Sequence, residues 1–305
     1  MQERRDFSRA RARFGPSEKF TFGGLASTAK NAAAITLAAF FIATPLPDPA
    51  AAMSPTAVSV REVGPALWIV QDRDTTIFLF GTFHALDSNA AWFNRSVRAA
   101  FDSSDELVLE TVVPEDPAEL HAVLTGQSLM SEPQVGQPVY ADRGASSFVA
   151  SAGQAMSAGR SVGMSVDQGA DAVLRRAANS SGKTVEGLES FEFQLRMFKS
   201  LPPAPPQAVR HSGNGLPDFI GNMQSAWKRG DNAGFATLLG TMRMESPQTY
   251  QTLFVSRNAN WAGWIANRMT QPGTVFVAVG TGHLVGPDSV QQQLAARGIG
   301  SARIS

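Results

Sequence analysis

The chain has 305 residues, enough for one large domain or two small ones, and its 43% hydrophobic and 17% charged residues place it among globular chains. Its 26 basic and 26 acidic residues cancel to a formal net charge of zero, which argues against the clustered positive charge of a general nucleic-acid binder. With no cysteine, disulfides, thiolate zinc sites and a thiol nucleophile are excluded.

In chain order, residues 1 to 30 are rich in arginine, and Ala32–Thr44 (AAAITLAAFFIAT) is an uncharged apolar run. After it comes LPDPAAAMS, with small residues at Ala50 and Ala52. A basic region, a short apolar region and an A-x-A site in that order predict an export signal over 1–52. The mature chain would then begin near Met53 and be periplasmic or secreted. The apolar run is 13 residues long, shorter than the roughly 20 needed to cross a bilayer. No stable membrane span is therefore expected after cleavage; the alternative is an anchor retained through 32–44.

Ala66–Val70 and Thr75–Phe80 are β-rich runs separated by the polar turn QDRD, which predicts a hairpin. Trp92, Val97 and Phe101 have helical spacing and predict a helix over 90–101, followed by a short buried strand at Leu107–Leu109. A helix is expected over 117–125, whereas 127–163 is too rich in Gly, Ser and Pro to assign. Then come a helix over 171–178, a strand over 184–188 and a helix over 191–199. Residues 201–217, with PPAPP and HSGNG, form a loop or hinge. Helices are expected over 217–228, 232–242 and 247–269, then a strand over 275–279, a turn over 280–283, a helix over 289–297 and a strand near 302–304. Strands alternating with helices predict an α/β fold with a mainly parallel central sheet and flanking helices. The helical stretch from roughly 200 to 270 would be an insertion or cap within a domain spanning 53–305.

Polar residues placed where buried strands end are informative, because ligands of open α/β sheets bind beyond the carboxyl ends of the strands. Two strands end in the same word, GTFH (81–84) and GTGH (280–283), which together hold half of the four histidines. Glu110 ends LVLE and Glu189 ends VEGLE. Two imidazoles, His84 and His283, and two carboxylates converging on one crevice would suit a divalent zinc, manganese, iron or cobalt ion. A carboxylate left free of the ion could serve as general base on a bound water. Gly81 and Gly280 would adopt backbone angles that other residues resist, letting each strand turn sharply and bring its backbone near a ligand. Thr82 and Thr281 would bond their partner histidine or cap the next helix. Each word alone also reads as ordinary turn chemistry, and Glu189 also reads as the first-turn residue of the following helix. His121 and His211 are expected to be solvated, and Trp261, Trp264 and Ile265 to be helix core.

These motifs resemble the TraB/GumN family, related to the Tiki metalloproteases. The similarity runs through PALWIVQDRDTTIFLFGTFHAL, FDSSDELVLE, ADAVLRRAANSSGKTVEGLESFEFQL, AWKRGD, SRNANWAGWI and VFVAVGTGHLVGPD, in order over about residues 65 to 305. Asp171 and Glu189 fall on acidic positions of the pattern, and Arg257 and Asn258 lie in its fifth block. The resemblance implies a hydrolase dependent on a divalent metal (manganese, cobalt or zinc), most readily a peptidase that cleaves amides with metal-activated water. It implies His84 and His283 as metal ligands or catalytic histidines, Glu110 as ligand or general base, and Arg257 as an anion or oxyanion stabiliser. Glu189 would be a catalytic carboxylate, with Asp171 and Asn258 in support. The partner would be a peptide or small-molecule substrate. Two other readings stand beside this one: a non-catalytic protein that sequesters a peptide, metal or haem, and an accessory factor in surface polysaccharide production.

Overall fold

A computed structural model describes residues 63–125, 147–202 and 215–305. The expected export segment 1–52, much of the unassigned stretch after 127, most of the Pro-rich loop and His211 lie outside the described residues.

The first hairpin forms as expected, from β1 (Leu67–Gln71) and β2 (Thr75–Thr82), with Asp72 Oδ1 accepting from the Asp74 and Thr75 amides in the turn. A two-residue strand β3 (Leu86–Asp87) follows. Helix α1 (Arg95–Asp102) begins five residues later than its hydrophobic spacing predicts, because Asn94 caps it by accepting from the Val97 amide at 3.0 Å. Trp92 is buried outside the helix, stacked on Phe80. Next come β4 (Glu106–Thr111), α2 (Pro117–Thr125) and α3 (Ser147–Ser161), a helix inside the stretch the sequence left unassigned. Strand β5 (Met164–Ser165) pairs with β3, and α4 (Ala170–Ser181) leads to β6 (Thr184–Glu189) and α5 (Phe191–Ser200). Ser190 caps α5, so Glu189 is the last residue of a strand and not part of the helix. Helices α6 (Leu216–Lys228) and α7 (Ala233–Glu245) precede a long helical run: α8 (Pro247–Tyr250), a π-type stretch (Gln251–Val255) and α9 (Ser256–Arg268). Strand β7 (Gly273–Gly280), a 3-10 turn (Thr281–Leu284), α10 (Val290–Ala295) and β8 (Ala302–Arg303) complete the order.

The six-stranded sheet has the order β6-β4-β7-β2-β1-β8. β6, β4, β7 and β2 run parallel, while β1 is antiparallel to both its neighbours. Alternation along each strand divides the core into two layers. Phe80, Leu107, Leu109, Phe276 and Ala278 face α1, α6 and α7, and Leu79, Val108, Val277 and Val279 face α9 and α10. The helical middle is therefore not one cap over the sheet. Residues 216–245 pack on one face, and the run from Pro247 to Arg268 crosses to the other: Tyr250, Leu253 and Phe254 belong to the first layer, Trp261 and Ile265 to the second. Arg257 and Asn258 lie at the crossing. Among the described residues no helix is long and apolar enough to cross a membrane.

Candidate functional site at the carboxyl ends of the strands

β2 and β7 are adjacent and parallel, with Thr82 opposite Gly280, so the two Gly-Thr-x-His words leave the sheet side by side. The first three carbonyls of the first word each have a donor from a different element. Trp227 Nε1 donates to the Gly81 carbonyl at 2.8 Å, Thr281 Oγ1 to Thr82 at 2.9 Å, and the Ala170 amide to Phe83 at 3.0 Å. Thr281 thus ties one word to the other and does not bond His283, while Thr82 Oγ1 is buried without a partner. Replacing Trp227 with Phe keeps an aromatic ring, though a smaller one, and strands the Gly81 carbonyl. We expect a loss of about 1–3 kcal/mol, measured as a lower urea midpoint.

Of the two uses expected of the glycines, unusual backbone angles are not needed. Gly280 has φ −52° and ψ 136°, backbone open to any residue, and Gly81 is not among the described glycines with positive φ. What both need is space. A Cβ on Gly81 would lie 3.0 Å from Thr281 Oγ1, and one on Gly280 would lie 2.9 Å from Glu110 Oε1 and 3.1 Å from His84 Nε2.

All the candidate side chains meet in one buried cluster. His84 is oriented by Asp171, from the first turn of α4, with 2.6 Å between His84 Nδ1 and Asp171 Oδ2; its Nε2 is buried and has no partner. Arg257, 1% exposed, occupies the centre. Its Nε donates to both oxygens of Glu189 (2.9 and 3.0 Å) and its NH2 group to Glu110 Oε2 (2.9 Å), while NH2 is also ion-paired with Glu189 Oε2 at 2.9 Å. Its NH1 group reaches the Leu253 carbonyl (3.3 Å) and His283 Nε2 (3.2 Å). As Arg257 can only donate, His283 accepts at Nε2 and carries its proton on Nδ1, which donates to Asn258 Oδ1 at 2.6 Å. Asn258 Nδ2 in turn donates to the Asp288 carbonyl at 2.7 Å. Glu110 Oε1 accepts from the Gly280 amide at 2.5 Å and lies 3.7 Å from His283 Nε2. The Leu253 carbonyl belongs to the π-type stretch, a local widening often found at functional sites.

Burial works against charge on His84, but the Asp171 carboxylate and Glu110 outweigh it and raise the imidazole to about 9. Burial would raise the Glu110 carboxyl; Arg257, both histidines and the Gly280 amide hold it down at about 2. Burial, with the positive charge of Arg257, depresses His283 to about 3, against the pull of Glu110. Burial pushes Glu189 upward, and the Glu110 charge adds to that against Arg257. Arg257 itself is raised, since the two carboxylates outweigh its burial.

These shifts fix a stability profile. His283 is neutral in the fold down to about 3 and Glu110 ionised down to about 2, so acid favours the unfolded chain as pH falls from about 6.5. His84 holds its proton up to about 9, so its contribution is complete below about 6.5 and is lost as pH rises through 9. The melting temperature is expected to peak near pH 6.5 and fall on both sides, which thermal scans from pH 3 to 10 would check.

Trp261 belongs to the site as well as to the core. Its Nε1 donates to Glu189 Oε1 at 3.0 Å, Arg257 lies over its ring, and His283 lies between it and Phe254, with centroids 4.4 and 4.8 Å away. The spacing of four from Arg257 to Trp261 places both on one helical face, a signal present in the sequence. Trp227 lies within the quoted AWKRGD word, but nothing in that word shows that its indole holds the Gly81 carbonyl.

A divalent ion can be weighed against these residues. With His84 neutral, Glu110, Glu189 and Asp171 bring three negative charges against the single positive charge of Arg257, an excess that a divalent cation would balance. The free Nε2 of His84, its Nδ1 held by a carboxylate, is the arrangement of a metal-ligating histidine. Glu110 Oε1 lies on the same side, above Gly280. His283 fits by kind, but its Nε2 accepts from Arg257. Accordingly, no group of three or more His, Cys, Asp or Glu side chains among the described residues is arranged to hold an ion. His84 and Glu110 fit such an ion; His283 would complete the set only by releasing Arg257.

A family model described as the TraB/PrgY/gumN family matches residues 66–141 and 127–302. No curated protein and no solved structure matches the chain.

Proposed function

We propose that this chain, which belongs to the TraB/PrgY/gumN family, is an exported metal-dependent hydrolase, most readily a peptidase, with its reacting groups at His84 and Glu110. The observation that carries this reading is the buried, unpartnered Nε2 of His84, aimed beside Glu110 and fixed from behind by Asp171. Buried polar atoms normally have partners, so a free one at the carboxyl end of a parallel sheet points to a ligand.

A divalent ion bound by His84 and Glu110 would supply Lewis acidity toward an amide carbonyl. The chain's own groups divide the remaining work. His84 would give up its Nε2 proton to bind the ion, and Asp171 fixes the ring so that this nitrogen faces the crevice. Glu110 is a weak base because Arg257 stabilises its charge, so it serves as an anionic ligand beside His84. Four of the five N–H groups of Arg257 have hydrogen-bond acceptors, and the guanidinium is ion-paired with both Glu110 and Glu189. We therefore assign Arg257 to positioning Glu110, Glu189 and His283, in place of the oxyanion role that the resemblance implied. Glu189 likewise anchors Arg257 and Trp261 and is not a reacting carboxylate.

Calorimetric titration of the full chain with Mn²⁺, Co²⁺ and Zn²⁺ tests the reading. One ion per chain is expected. Affinity should rise with pH up to about 9, because the ion displaces the His84 proton. His84→Ala should abolish binding. Equal binding by wild type and His84→Ala would remove the basis for the proposal.

A further inference from the structure

The polar cluster is almost completely satisfied on one side and open on the other. Arg257, Glu189, Trp261, Asn258 and the Nδ1 atom of His283 bond one another. On the other side His84 Nε2 has no partner although His84 is only 7% exposed. Between that nitrogen and Glu110 Oε1 lies the position a side chain on residue 280 would fill: an ideal Cβ there is 3.1 Å from one and 2.9 Å from the other. Both distances are short for carbon but normal for a hydrogen-bonded oxygen. The backbone at Gly280 does not itself require glycine.

We infer that Gly280 is an accommodation residue: its missing side chain leaves the opening through which a ligand atom reaches both His84 Nε2 and Glu110 Oε1. The inference rests on the hydrolase reading but adds a claim to it. The second Gly-Thr-x-His word contributes its glycine to the reacting side, while its histidine belongs to the supporting side. A methyl group at 280 would close the opening with no φ/ψ strain. It would act on ligand entry while Asp171 still holds His84.

The test is Gly280→Ala in the full chain, titrated calorimetrically with Mn²⁺ and melted without it. Gly263→Ala serves as control, since a Cβ there meets nothing within 4 Å. The expected result is a melting temperature within a few degrees of wild type for both variants, with Mn²⁺ affinity reduced at least 100-fold in Gly280→Ala alone. Should Gly280→Ala fail to fold, paramagnetic broadening in the wild type decides: added Mn²⁺ should erase the amide signals of Gly280 and His84 before that of Asn258. Wild-type-like Mn²⁺ binding by folded Gly280→Ala would overturn this inference and leave the hydrolase reading intact. So would broadening that begins at Asn258. A wild-type chain that binds no ion would overturn both.

Discussion

Arg257→Met is expected to destabilise the fold by about 3–5 kcal/mol, the usual cost of removing one partner from a buried ion pair. Among the described residues the guanidinium is the only positive charge ion-paired with both Glu110 and Glu189, and both carboxylates are nearly inaccessible to water. Removing it leaves two buried negative charges and a His283 whose Nε2 has lost its donor. Arg257→Lys should recover only part of the loss, because an ammonium cannot present five donors in a planar fork. Adding Glu110→Gln and Glu189→Gln to Arg257→Met should restore stability relative to Arg257→Met alone, since neutral amides need no cation. Urea denaturation of the four proteins checks the order. If Arg257→Met costs less than about 1 kcal/mol, the cluster is not held by charge.

The second large effect concerns turnover. His84→Ala, which removes a ligand of the ion, should reduce kcat/KM by more than about 100-fold, beyond the effect of losing a residue that only orients a ligand. Asp171→Asn should reduce it by about 10- to 100-fold, the range for a residue that orients a ligating histidine. The asparagine can still face His84 Nδ1, but without the charge that favours the imidazolium. Asp171→Asn should therefore also bring the upper end of the alkaline loss of stability below about 9 and shrink that loss, a shift that a purely steric role would not produce.

Much of this arrangement was legible in the sequence because it depends on local signals. Strand runs ending in Gly-Thr-x-His, LVLE and GLES placed His84, His283, Glu110 and Glu189 at strand ends, and alternation with helices implied a parallel sheet in which those ends lie together. What the sequence did not show depends on long-range pairing. No local pattern indicates that Arg257 divides its donors among Glu110, Glu189, Leu253 and His283. Nor does one show that Thr281 reaches across to the Thr82 carbonyl. The glycines were read from residue type, which suggests unusual backbone angles, whereas Gly280 is set by the distance to atoms on β4 and in the loop after β2. Helix α1 was placed too early because Trp92 has helical spacing while packing on Phe80 from a loop. The helical middle looked like a cap because composition does not indicate which face of the sheet each helix covers.

The proposed hydrolysis through His84, in the crevice at the carboxyl ends of β2, β4 and β7, can be tested directly. The most direct measurement incubates a diverse peptide pool with the full chain and Mn²⁺ or Co²⁺, and follows new amino termini by mass spectrometry. His84→Ala, melting at the same temperature, is run in parallel. Cleavage by the wild type that disappears in His84→Ala is the result predicted here. Peptides retained by both proteins and cleaved by neither would contradict it and favour a binding protein.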